Sequence, residues 1–359
     1  MHAKLLLSNG MIFEGISVGA DGTAYGEICF NTSMSGYQEI LTDPSYTEQI
    51  VVMTYPEIGN CGINSTDFEN DKVFAKGLIM KNYCQQESHY QAKETLSDFL
   101  KKNDVVAISN VDTRQITSLI RDKGTMACLI TTQEITSEMK EKLATWQMDK
   151  EVVKLASQNK KYHIAGNGKK VAVIDLGIKN SILKNLTNSN CDVFVYPYNT
   201  KADEILKDKF DAIFFSNGVG NPSELTSTIE TAKDLLGKLP VYGCCLGAQI
   251  IALALGGKIT KLKYGHCGGN QPVINLLTNK VLLTSQHHNY VIDELSLPQN
   301  VIPTYRNLND GTLEGFACKD KMVEAVQFHL EASAEGTDCY GVFAGWFEQI
   351  EGLEKCQRI

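Results

Sequence analysis

Short apolar stretches separated by turn residues open the chain. Lys4–Leu7, Met11–Phe13, Glu27–Phe30 and Gln49–Thr54 read as strands bounded by tight turns. Apolar residues then recur at helical spacing over Lys93–Lys101 and Arg114–Arg121, so this first region predicts a mixed α+β unit. Polar, helix-tolerant sequence from Ser137 to Lys161 runs into Ala165-Gly166-Asn167-Gly168-Lys169-Lys170, whose glycines and charges suit an exposed connector. The domain boundary is placed there, with residues 1–165 on one side and 166–359 on the other.

The texture then changes. Val171–Asp175 is a continuous apolar run, followed by a helical pattern over Lys179–Leu186. Asp192–Tyr196, Ala212–Ser216, a helix over Ser223–Leu236, and Pro240–Gly243 leading into Ala248–Leu255 continue the alternation. Buried strands alternating with helices predict an α/β domain built on a mostly parallel, doubly wound sheet. In such sheets chemistry gathers where strands end and helices begin.

Composition narrows the function. The 34 Lys and Arg against 42 Asp and Glu give a formal charge of −8, a poor footprint for a phosphate-backbone binder, so no nucleic acid is expected as partner. Eleven cysteines, odd in number, scattered and without a C-x-x-C pair, fit a reduced cytoplasmic protein better than a disulfide framework. No run approaches the roughly 18 apolar residues of a membrane span. The start, MHAKLLLSNG, meets a turn signal where a secretory leader needs apolar continuation, so no membrane association is expected.

The strongest chemical signal is Val241-Tyr242-Gly243-Cys244-Cys245-Leu246-Gly247-Ala248-Gln249. A buried strand runs through a small-residue turn into an apolar helix, with glycines two positions either side of Cys245. This is the G-x-Nuc-x-G elbow, which places a nucleophile at a helix N-terminus where thiolate is favoured over thiol. Both cysteines also fit as small core residues at a strand end. A nucleophile needs a base and an orienting group; His329 and Glu331, two apart near the end of a strand, can supply them, or form a solvated surface pair. Ser216-Asn217-Gly218-Val219-Gly220-Asn221-Pro222 is a strand entering a glycine loop whose N–H groups can bind an oxyanion, or an ordinary turn. His287 and His288 read as polar-loop residues able to ligate a metal, but no further ligand stands at zinc-like spacing, so no metal is expected. His266, in Tyr264-Gly265-His266-Cys267-Gly268-Gly269-Asn270, reads as support for a glycine loop.

An elbow cysteine followed by His-x-Glu near the end of an α/β domain resembles the class I glutamine amidotransferases. The Ser216–Pro222 loop is similar to that family's S-N-G-P-G-D-P, and Gln327-Phe328-His329-Leu330-Glu331-Ala332-Ser333 to its Q-x-H-P-E-A-S. The stretch Phe30–Tyr46, with Thr54-Tyr55-Pro56-Glu57-Ile58-Gly59-Asn60 and Val111-Asp112-Thr113-Arg114, is similar to the N-terminal domain of the carbamoyl phosphate synthetase small-subunit family. Gly265–Val273 and Asp310-Gly311-Thr312-Leu313-Glu314-Gly315 point the same way.

The resemblance implies glutamine hydrolysis by Cys245, His329 and Glu331, with His329 first as base and then as acid. It implies oxyanion stabilisation by the N–H groups of Gly218 and Leu246, and contacts to L-glutamine from Ser45, Gly220, Gln249, His287, Asn289 and Tyr290. Ser45 would bring the site to the domain interface. The implied partner is a large subunit that makes carbamoyl phosphate from bicarbonate and ATP; ATP and Mg belong there, and this chain needs no cofactor. Arginine or pyrimidine biosynthesis would draw on the product.

The chain also departs from the family pattern. Cys244 precedes the nucleophile, Ala248 replaces a His, and Leu330 replaces a Pro. His287 stands for an Asn, and Asn289 for a Gly whose position suggests φ > 0, a geometry Asn tolerates. Weakened glutamine binding is therefore expected. A divergent paralogue acting as a binding partner, or a stand-alone cysteine amidohydrolase, remain as alternatives; the triad argues against the first and the N-terminal region against the second.

Overall fold

The computed structural model describes residues 1–331, 339 and 341–346. The chain divides into two compact units, Met1–Asp149 and Lys150–Ile359.

In the first unit seven strands close into a barrel in the order His2–Leu7, Ile12–Ser17, Val106–Ser109, Gly77–Ile79, Gln49–Met53, Thr23–Asn31, Met126–Thr131. Closure leaves no strand edge to aggregate. Val51, Met53, Leu78, Leu100 and Ala107 are fully buried in its core. The helix predicted from Lys93 begins only at Leu96, because Thr95 accepts the Asp98 N–H through its hydroxyl and so caps the turn. Asp112 caps the helix Thr113–Lys123 in the same way, through the Gln115 N–H.

The second unit is built on a ten-stranded sheet. Its centre is parallel, in the order Asp192–Pro197, Lys170–Leu176, Ala212–Gly218, Val241–Cys244, Val323–Val326. Val171 and Val173 pack into one face of this sheet and Ala172 and Ile174 into the other. Burial on both faces is why these strands read as unbroken apolar runs. Beyond Val323–Val326 the sheet continues antiparallel through Leu313–Cys318, Ile302–Asn307 and the long hairpin Lys258–Asn275 with Val281–Asp293.

The boundary falls at Asp149–Lys150, earlier than the 165/166 expected from the glycine-rich connector. The segment ahead of that connector already belongs to the second sheet, for Tyr162–Ile164 pairs antiparallel with Val193–Val195. The histidine segments differ from expectation as well. His287 and His288 lie buried within the strand Val281–Asp293, and His266 within Lys258–Asn275, not in loops. Across the hairpin His266 lies opposite His288 and Cys267 opposite His287, and the rings are satisfied inside the fold, His266 by Asp310 and Gln286, His288 by the Tyr290 carbonyl, and His287 by Cys267. Polarity that reads as loop in sequence is here internal.

Among the described residues no helix is long and apolar enough to cross a membrane.

Candidate active site

Cys245 follows the strand Val241–Cys244 directly and caps the nine-residue helix Leu246–Ala254. Its backbone sits at φ 51°, ψ −112°, a region that non-glycine residues avoid. Such strain costs on the order of 1–3 kcal/mol and persists only where the surroundings enforce it. They do so here. The Cys245 N–H donates to the Val326 carbonyl at 2.9 Å, and the Gln249 N–H to the Cys245 carbonyl at 3.2 Å. A Cβ on Gly243 would stand 2.9 Å from the Gly247 carbonyl carbon, and one on Gly247 only 2.1 Å from the Phe215 carbonyl oxygen. Both flanking glycines are therefore fixed by close approach of backbone. In the resting site the Cys245 thiol points at the His287 carbonyl, 3.4 Å away.

His329 and Glu331 follow the end of the neighbouring strand Val323–Val326 and are almost fully buried. The His329 N–H of the main chain donates to the Ser285 carbonyl, and its Nδ1 stands 3.1 Å from Glu331 Oε1. Burial alone would lower this imidazole. The Glu331 carboxylate and the Cys245 side chain outweigh it and hold the ring at about 10. Burial would likewise raise Glu331, but Lys179 and His329 together hold it well below the ordinary carboxylate range. Lys179 Nζ lies 2.5 Å from the same Oε1. Sequence reasoning passed over Lys179, although it lies just past the Lys170–Leu176 strand end, where chemistry is expected to collect.

The glycine loop is pinned to that first strand. Ser216 Oγ accepts the Leu176 N–H, and Asn217 donates to the Gly177 carbonyl while its oxygen accepts the Lys179 N–H. Gly218 thus ends its strand beside the strand that delivers Lys179, and Leu246 opens the helix behind Cys245. Gly220 follows in the loop at φ 103°. Cys245, His329, Glu331, Gly218 and Leu246 all gather at the carboxyl ends of the parallel strands.

The expected glutamine contacts in this unit come from the helix and the hairpin. Gln249 is buried and its Nε2 donates to the Tyr290 carbonyl at 2.7 Å and to Gln327 Oε1 at 3.1 Å. His287 Nδ1 lies 3.2 Å from Cys267 Sγ. Asn289 is not left-handed: it lies in extended strand, and its side-chain oxygen packs over Gly265, where a Cβ would come within 2.3 Å of it. The expectation of φ > 0 at Asn289 is thus corrected, because the long hairpin carries the segment through as regular strand. Ser45 lies in the first unit, buried in a short 3-10 turn with its N–H on the Asp43 carboxylate.

A strained elbow cysteine and a buried His–Glu pair at the ends of adjacent parallel strands define a class I glutamine amidotransferase domain, and residues 172–348 match that family. Residues 5–130 match the family described as carbamoyl-phosphate synthase small chain, CPSase domain. The chain is 46% identical over 345 residues to the carbamoyl phosphate synthase small chain of Clostridium acetobutylicum, covering 96% of this chain and 98% of that one. It is 41% identical to the pyrimidine-specific small chain of Bacillus subtilis, covering 99% of this chain and 98% of that one. The chain belongs to the carbamoyl phosphate synthase small chain family and is an enzyme of the glutamine amidotransferase type.

Proposed function

We propose that this chain is the glutaminase subunit of a carbamoyl phosphate synthase, hydrolysing glutamine and passing the ammonia to a large subunit that makes carbamoyl phosphate from bicarbonate and ATP. The observation that carries this reading is Cys245 on its strained elbow, served by the buried His329–Glu331 pair. ATP and Mg belong to the large subunit. The pyrimidine-specific name of the Bacillus subtilis relative points to nucleotide biosynthesis as one outlet.

The chemistry follows from the geometry. His329 Nδ1 is committed to Glu331, so Nε2 holds the proton given up by Cys245, and the thiolate sulfur attacks the side-chain amide carbon of glutamine. Held at about 10, the ring keeps that proton until the amide nitrogen departs, and then delivers it to the leaving ammonia. N–H groups of Gly218 and Leu246 stabilise the oxyanion, a contribution of roughly 3 kcal/mol per donor. Water, deprotonated by His329, hydrolyses the thioester to glutamate and restores the thiol.

Gln249 supports the substrate assignment. Both hydrogens of its Nε2 are taken up by Tyr290 and Gln327, so it meets a ligand through Oε1, an acceptor suited to the α-ammonium of glutamine. Gly220, His287, Asn289 and Tyr290 complete the contacts in this unit. The test is ammonia release from glutamine, measured with and without the cognate large subunit. No release in either case would overturn the reading.

A further inference from the structure

We infer that His266 is a positioning residue for the glutamine pocket, a buried imidazole that orients Gln286 and, through His288 and the Tyr290 carbonyl, the side chain of Gln249. The inference rests on the glutaminase reading above and identifies a residue, remote in sequence from the triad, that sets substrate affinity.

The hydrogen-bond count fixes the direction of every link. The Thr284 hydroxyl donates its only hydrogen to the Gln271 carbonyl at 2.9 Å, so it can only accept from Gln286. The Gln286 atom 3.0 Å from it is therefore Nε2, and Gln286 Oε1 faces the two histidines. His266 Nδ1 lies 2.9 Å from that oxygen and 3.4 Å from Glu314 Oε1, while its Nε2 lies 2.8 Å from Asp310 Oδ2. These three partners are acceptors, and Asn307 Nδ2, 3.4 Å from Nδ1, donates instead to Glu314 Oε1 at 3.1 Å, so both ring nitrogens carry hydrogen and His266 is a cation. Burial would lower it, but Asp310 and Glu314 raise it to about 9. His288, whose ring centre is 4.8 Å away, is pushed well down by burial and by the His266 charge, and stays neutral. Asp310, Glu314 and His288 are the titratable groups that face His266.

The Tyr290 carbonyl can only accept, so neutral His288 places its one hydrogen on Nδ1, 2.9 Å from that oxygen, while its Nε2 packs 3.2 Å from Gln286 Oε1. That carbonyl also receives Gln249 Nε2. A run of oriented bonds thus leads from Asp310 and Glu314 to the amide that would meet the substrate. Without the His266 proton, Gln286 loses the donor that fixes its amide, the His288 ring packed against that amide loses its support, and the Tyr290 carbonyl shared with Gln249 loosens.

His266, His288 and Glu314 also place ligand-type atoms within 4.8 Å of one another, the spacing of a metal-binding set. The count above fills that space with protons, and zinc binding provides the contrary outcome.

The experiment uses the full chain with its large subunit and follows glutamine-dependent turnover against pH for the native protein, His266→Gln and Asp310→Asn. His266→Gln should raise KM for glutamine about tenfold and leave kcat within about twofold, the signature of lost uniform binding. Asp310→Asn removes a half-exposed carboxylate and should fold. It should move the alkaline limb of kcat/KM down by about one pH unit. The substrate ammonium titrates identically in both proteins, so only the difference is read. A native melting temperature with unchanged KM in His266→Gln overturns the inference, as does an unmoved limb in Asp310→Asn, which decides the matter should His266→Gln not fold. Stoichiometric zinc binding that His266→Gln abolishes would overturn it too. Calorimetry in a Cys245→Ser background separates the two readings: no glutamine binding by the parent removes the glutaminase reading and this inference together, whereas equal affinities with and without His266→Gln remove only the latter.

Discussion

Lys179 places its ammonium 2.5 Å from Oε1 of Glu331, the carboxylate oxygen that also faces His329. Glu331 is therefore a shared anion, and Lys179 is the group that lets a carboxylate stay charged in an almost fully buried site. Removing one member of a buried pair leaves an uncompensated charge, typically costing about 3–5 kcal/mol. Lys179→Met should accordingly lower the melting temperature and cut glutamine turnover by about tenfold or more. A melt and a glutaminase assay check both; unchanged stability would mean that His329 alone balances Glu331.

Cys245→Ser should abolish glutamine-dependent synthesis and leave ammonia-dependent synthesis by the complex largely intact, because the thiolate serves only to liberate ammonia. Cys244→Ser should be mild. Cys244 is fully buried, and burial pushes its thiol well up, out of the range of a reactive thiolate. Equal loss with both nitrogen donors would make Cys245 a structural residue.

The His329–Glu331 pair has a defined pH window. Glu331 is depressed, so its contribution to stability is present above the ordinary carboxylate range and is lost on acidification through its lowered value. His329 is raised, so its contribution is complete below the ordinary imidazole range and is lost as pH climbs through about 10. Glu331→Gln removes the anion and leaves burial unopposed, so His329 should no longer hold a proton at neutral pH. Turnover should fall by about tenfold to a hundredfold, less than in His329→Ala, with the pH–rate profile displaced toward acid. If His288→Ala were crippling and His329→Ala tolerated, the base would be misassigned.

The elbow was legible because its chemistry is local. Gly243, Cys245 and Gly247 stand within five residues, and each glycine answers a clash that sequence context already implies. The parallel strands were legible because burial on both faces writes a continuous apolar run. Barrel closure was not, since it depends on pairings such as Lys4 with Thr131 that no local pattern encodes. The link from His266 to Asp310 and Glu314 was not legible for the same reason: these contacts span more than forty residues, and the polarity of His266 imitates a loop. Lys179 carried a usable signal in its place just after the first strand of the parallel sheet.

The departures in the pocket now have a structural reading. The His287 ring is turned to Cys267, 3.2 Å away, while its main-chain carbonyl faces the Cys245 thiol. Replacing the ring therefore alters pocket contacts without moving the group beside the nucleophile. Asn289 sits in extended strand, so Asn289→Gly relieves no left-handed strain; it removes the side chain packed over Gly265 and loosens the strand slightly. The double variant His287→Asn plus Asn289→Gly should lower KM for glutamine more than it raises kcat, as expected of contacts made equally in ground and transition states. Steady-state glutamine kinetics of the complex check this. An unchanged KM would show that these positions do not weaken binding, and a fall in kcat at unchanged KM would place His287 in the transition state rather than in substrate recognition.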